Sequence, residues 1–74
     1  MIISQGQSCT IPSGHDDAIV TNLDANEGSY DISESTIVIK KEIRGRATQK
    51  TRIDKNSVIV KNRGETKLDV ANCQ

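Results

Sequence analysis

The segment Ser13-Gly14-His15-Asp16-Asp17 sets the only histidine of the chain beside two carboxylates. An imidazole with two oxygen donors could hold a divalent cation, or could take up a proton as a general base. Either task needs the three side chains to converge. In extended backbone, neighbouring side chains leave on opposite faces, so convergence requires a tight turn at this point. Otherwise His15 is a solvent-exposed loop imidazole.

Other reactive groups are sparse. Cys9 has no basic neighbour to lower its thiol pKa, and Cys73 lies at the chain end. Two cysteines and one histidine fall short of the four closely paired ligands of a structural zinc site. The five glycines are isolated from one another, which excludes a glycine-rich phosphate loop. Nothing in the spacing of Asp16, Asp17, Glu27 and Asp31 places two carboxylates across a cleft. No enzymatic activity, cofactor, metal or small-molecule substrate is expected.

Charge is the informative property. Residues 1–39 contain no Lys or Arg and six acidic residues, a net of −6. Residues 40–74 contain ten basic and four acidic residues, a net of +6. If 36–44 and 46–53 form a hairpin about Gly45, then Lys40, Arg44, Arg46, Lys50 and Arg52 project from one side, and Lys61 and Arg63 extend it. Such a basic face could meet successive phosphates. The acidic residues Asp16, Asp17, Asp24, Glu27 and Asp31 would form the opposite pole. That pole could dock on a basic protein surface or on the basic face of a second copy. The plainer reading is that acidic loops lie near basic strands within one fold, at under about 1 kcal/mol per exposed pair.

The elements that must carry these groups are strands. Of seventeen Ile, Val and Leu residues, fifteen are β-branched, which favours a pleated surface over a helix. Apolar residues nowhere recur with helical spacing over three turns. Turn chemistry at 12–17, 24–28, Gly45, 54–56 and 62–65 breaks the chain at roughly ten-residue intervals. The spacing predicts inward-facing sets of Cys9 and Ile11; Tyr30 and Ile32; Ile37, Ile39 and Ile43; and Thr66, Leu68 and Val70. The expected architecture is one all-β domain over 1–74: a small barrel, roll or sandwich of about five to seven short, mostly antiparallel strands. The echo between "ESTIVIKKEIRG" and "KNSVIVKNRGET", about 21 residues apart, suggests a two-rung β-solenoid as the alternative.

With one Tyr and no Phe or Trp, the interior is aliphatic, and a domain this small often needs a staple or a partner subunit. The start "MIISQGQSCT" lacks a basic leader region, and no apolar run approaches membrane-spanning length. The expected compartment is the cytoplasm, of a cell or of an infected host, with no membrane association and with Cys9 and Cys73 as free thiols. A Cys9–Cys73 bridge in an exported chain would stabilise it by roughly 4 kcal/mol. Nucleic-acid binding lacks both a recognition helix and the aromatic side chains on which bases stack. The expected function is a small, non-enzymatic, charge-polarised protein that binds a protein partner, itself or another. It would serve as a modulator or inhibitor of a larger protein or as a homo-oligomer subunit. Backbone binding of nucleic acid through the basic strands 40–67 is the alternative.

Overall fold

The computed structural model describes all 74 residues. Eight strands form, with no helix: β1 (Ile2–Ile3), β2 (Ser8–Ile11), β3 (Asp17–Asn22), β4 (Gly28–Glu34), β5 (Ile37–Ile43), β6 (Thr48–Arg52), β7 (Val58–Asn62) and β8 (Leu68–Val70). They build two four-stranded sheets, ordered β1-β8-β3-β6 and β2-β7-β4-β5, with every ladder antiparallel. The result is a small sandwich. Neither the barrel nor the solenoid forms; a solenoid would stack parallel ladders, and none is present. The count exceeds the expected five to seven because β1 is two residues long, too short to show alternation.

The inner faces bury thirteen apolar residues, among them Ile11, Val20, Tyr30, Ile32, Val60 and Leu68. Alternation holds where expected: Cys9 and Ile11 face in on β2, and Leu68 and Val70 face in on β8. Tyr30, the only aromatic residue, is wholly buried, and its hydroxyl donates to Gln49 Oε1 at 2.7 Å. Burial pushes its phenol above the ordinary value of about 10. The folded state therefore holds Tyr30 neutral where the unfolded chain ionises. Stability is intact below pH about 10 and falls as pH rises past it. Base titration should show no tyrosinate absorbance until the β-sheet circular dichroism collapses. A titration completed at the ordinary value with the sheet signal intact would contradict this burial.

The hairpin expected about Gly45 does not form. β5 pairs with β4 in one sheet and β6 with β3 in the other, so the chain crosses between layers from Ile43 to Thr48. Gly45 makes the crossing possible by lying against the Ala25 backbone, where any Cβ would overlap the Ala25 carbonyl. Arg46 follows in the left-handed region at φ 64°. Its N–H donates to Asp24 O at 2.9 Å, and Ala47 N–H donates to Arg44 O at 3.2 Å.

All six ladders join one of the first four strands to one of the last four: β1–β8, β2–β7, β3–β6, β3–β8, β4–β5 and β4–β7. The two halves of the chain are interleaved, and they repeat each other at an offset of 40. Ile2 opposite Asp69 and Ile3 opposite Leu68 recur as Glu42 opposite Ser29 and Ile43 opposite Gly28. Ser8 opposite Lys61 and Ile11 opposite Val58 recur as Thr48 opposite Thr21 and Thr51 opposite Ala18. The central ladders differ: Val20 faces Val70, whereas Val60 faces Ile32 rather than Tyr30. That two-residue slip keeps every side chain on its own face. The 21-residue echo in the sequence is therefore not the structural repeat.

Two buried asparagines mark the repeat. Asn22 Nδ2 donates to Asn26 O at 2.8 Å and to Arg44 O at 3.2 Å, while its Oδ1 accepts from Asp24 N at 3.1 Å. Asn62 Nδ2 donates to Thr66 O at 2.7 Å and Ile3 O at 2.9 Å, and its Oδ1 accepts from Gly64 N at 3.0 Å. Each amide closes a five-residue loop where the chain passes between sheets. Each also ties that loop to the end of a distant strand, Asn22 to Ile43 at 21 positions beyond it and Asn62 to Ile3 at 59 positions before it.

Cys9 and Cys73 are joined in a disulfide, with Cα atoms 5.6 Å apart, so the expected free thiols do not occur. After β8 the chain leaves its own sheet and returns to the open edge of β2. There Gln74 and Thr10 exchange N–H to O bonds, both at 2.8 Å. That return carries Cys73 to Cys9, a long-range approach that spacing alone does not reveal.

Candidate functional site

β5 begins with three aliphatic residues, yet it is an edge strand, and only Ile43 of its expected Ile37, Ile39 and Ile43 set is buried. Ile37 is 65% exposed, Val38 53% and Ile39 45%: Val38 points to the outer face, and Ile37 and Ile39 lie toward the turn end of the β5 edge. On β7, Val58 and Val60 face the core and Ile59 points outward at 48% exposure.

The register assembles these residues. Thr10, Ile59, Ser33 and Val38 lie side by side across the outer face of the β2-β7-β4-β5 sheet. The next row on the same face is Ser8, Lys61, Asp31 and Lys40. Neighbouring strands are about 4.8 Å apart, so Val38 and Ile59 stand on either side of Ser33 in a row beside the cationic one, and the apolar surface turns over the edge at Ile37 and Ile39.

The charge of that row is decided by Arg63. Its Nε lies 2.9 Å from Asp31 Oδ1 and its Nη2 lies 3.5 Å from Glu42 Oε1. The hydrogen bond to Asp31 raises the guanidinium pKa further above its ordinary value. Arg63 thus satisfies Asp31, and neither Lys40 nor Lys61 forms an ion pair. The exposed apolar strip is flanked by two unneutralised ammonium groups.

The single basic face expected from the hairpin is not present. Lys40, Lys61 and Arg63 belong to one outer face. Lys50 and Arg52 lie on the opposite one, across from Ile19 and Asp17. Arg44 and Arg46 sit in the crossover between the layers, where the Arg46 guanidinium donates to the Leu23 carbonyl. Two strands that would share one face in a hairpin are placed in different layers by the crossing at Gly45, and their cations part with them. Arg52 is also tied to Asp54, Nε to Oδ1 at 2.8 Å.

The acidic pole does not assemble either. Asp17 begins β3 opposite Arg52, with Asp16 just before it; Asp24 and Glu27 occupy the loop between β3 and β4; Asp31 is at the middle of the other sheet. Asp24 caps its own loop, accepting from Asn26 N at 3.1 Å. Interleaving is the cause: strands from the acidic half alternate with strands from the basic half, which is the plainer of the charge readings.

His15 is half-buried rather than solvent-exposed, and its carbonyl accepts from Lys55 N at 2.9 Å. It does not converge with Asp16 and Asp17, and no three ligating side chains come together anywhere in the chain. No pocket opens on the surface. Ile37 and Ile39 read as inward-facing with Ile43, whereas Val38 reads as lying on the other face beside Lys40 and Glu42. Lys41, which shares the Ile37 and Ile39 face, is the signal that burial stops there or that the strand emerges at a sheet edge.

Compared with protein-family models, curated proteins and solved structures, the chain matches none.

Proposed function

We propose that the protein is a non-enzymatic binding module whose partner is a protein offering an apolar, acidic segment to the outer face and edge of the β5 side. The observation that carries this reading is the run Ile37-Val38-Ile39, exposed on an edge strand two strands from the outward Ile59, with Lys40 and Lys61 free of ion pairs. Native edges are ordinarily blunted by charge or by bulges, and an exposed aliphatic edge is a template for an added strand. A partner strand paired to β5 would set an apolar side chain beside Val38 and, two residues on and on the same face, a carboxylate beside Lys40. Such a partner gives the chain the role of a modulator or inhibitor that occludes a larger protein. Against the nucleic-acid alternative stand the division of the cations between two faces and the burial of Tyr30, which leaves no ring for base stacking. The Cys9–Cys73 bridge favours action in an oxidising compartment over the reducing cytoplasm.

Selection from displayed random peptides should enrich sequences in which Asp or Glu stands two residues from Leu, Ile or Val. The double substitution Val38→Asp with Ile39→Asp should weaken their binding at least about tenfold, the loss of one or two anchors at 1.4 kcal/mol per decade. Equal binding by the parent and the double variant sinks the reading. Retention on duplex DNA at physiological salt, abolished by Lys40→Glu with Lys61→Glu, would establish the alternative instead.

A further inference from the structure

We propose that this chain exchanges halves with a second copy of itself, forming a dimer in which residues 1–34 of each copy fold against residues 37–74 of the other. This does not rest on the binding surface above. It rests on where the contacts lie. All six ladders and the Cys9–Cys73 bridge connect the first four strands to the last four. The buried amides do the same: Asn62 reaches Ile3, and Asn22 reaches Ile43 and Arg44. A second copy can supply each of these contacts in the same geometry, because the only link between the halves is the turn joining β4 to β5.

That turn is the weak point. Glu34 lies opposite Ile37, so only Ser35 and Thr36 reverse the chain. Ser35 is held in the left-handed region at φ 55°, a conformation that Gly, Asn or Asp tolerates better. Short hinge loops under strain invite exchange. Opening the turn lets β4 and β5 of one copy run end to end, each keeping its existing register against the other copy, with Glu34 facing Ile37 of the second chain. Gly28, Tyr30 and Ile32 face inward on β4 and Ile43 on β5, so the junction at Ser35-Thr36 takes a one-residue irregularity that restores the inward face. The opened junction also brings the exposed Ile37 of each copy within two residues of the dimer axis.

The experiment uses the bridge as a reporter, since in the dimer it links different chains. Cys9→Ser and a tagged Cys73→Ser variant each lack an intrachain partner thiol. Refolded together at high concentration under oxidising conditions, they should give a non-reducing gel band of twice the chain mass. That band should contain one of each variant and be split by reductant. The unmodified chain refolded in the same way should give a dimer that also runs at twice the mass without reductant. Replacing Ser35-Thr36 by Gly-Asn, which suits a turn whose first central residue alone is left-handed, should lower that dimer fraction at least tenfold. The Gly-Asn comparison is made in the bridged chain and decides independently of any stability lost by the single cysteine variants. The proposal fails if refolding leaves the unmodified chain wholly monomeric, or if the Gly-Asn chain dimerises equally.

Discussion

Asn62→Asp is expected to cost about 4 kcal/mol, most of what a chain of this length has to lose. The amide is wholly buried and donates to Ile3 O at 2.9 Å and Thr66 O at 2.7 Å. A carboxylate in its place turns two donated hydrogen bonds into two oxygen–oxygen repulsions and leaves both carbonyls without a donor. Each buried unsatisfied group costs about 1–3 kcal/mol, and burying the charge adds to that. A domain of this size is stable by roughly 4–11 kcal/mol, taking about 0.05–0.15 per residue. The urea midpoint by circular dichroism measures the loss. A shift equivalent to under about 1 kcal/mol would mean that the loop does not depend on its amide. The consequence reaches the candidate site. The 62–66 loop carries Arg63, and Arg63 is what neutralises Asp31 and leaves Lys40 and Lys61 free. Asn22→Asp, at the equivalent position 40 residues earlier, should cost a similar amount.

Reduction of the Cys9–Cys73 bridge is the second large effect, at about 4 kcal/mol. The bridge closes a loop across a sequence separation of 64, and the loop-closure relation gives about that value for a span of this length. The native state loses little packing directly, since Cys9 is an inward-facing residue of β2 held by its own strand. The gain in freedom of the unfolded chain supplies most of the change. The tail then has only the Gln74–Thr10 pair to hold it on β2. With a core of thirteen residues and one aromatic ring, little is left to compensate. Urea unfolding with and without reductant measures the difference. Coincident transitions would show that the covalent link is energetically idle. If the partner is met in a reducing compartment, the protein arrives there close to its unfolding threshold.

How far the architecture can be read from residue order depends on the range of the interaction. Alternation within a strand is local, and it identified the inward faces of β2, β4 and β8 from Cys9 and Ile11, Tyr30 and Ile32, and Leu68 and Val70. Strand neighbours are not local. A glycine between two extended runs ordinarily signals a hairpin, but Gly45 is needed for close approach to Ala25, a residue 20 positions earlier. The repeat was hidden for a related reason. What recurs at an offset of 40 is register and backbone hydrogen bonding, carried by Asn22 and Asn62. A search for apolar pattern passes over buried amides. The segregation of charge was plain in the sequence. Its destination was not, because it depends on which strands become neighbours. For the candidate site, the cations Lys40, Lys61 and Arg63 were legible, and the apolar residues beside them were not. Ile and Val look the same at a sheet edge as in a core.

None of the six ladders lies within residues 1–34 or within residues 41–74. A free peptide of either length has four extended segments and no neighbour for any of them, so a lineage that began from one such peptide had to begin as an obligate pair. Covalent fusion through Ser35-Thr36 puts both members in one gene and frees them from being identical. One can then drift acidic and the other basic, after which each copy repels its own kind and recognises only its counterpart.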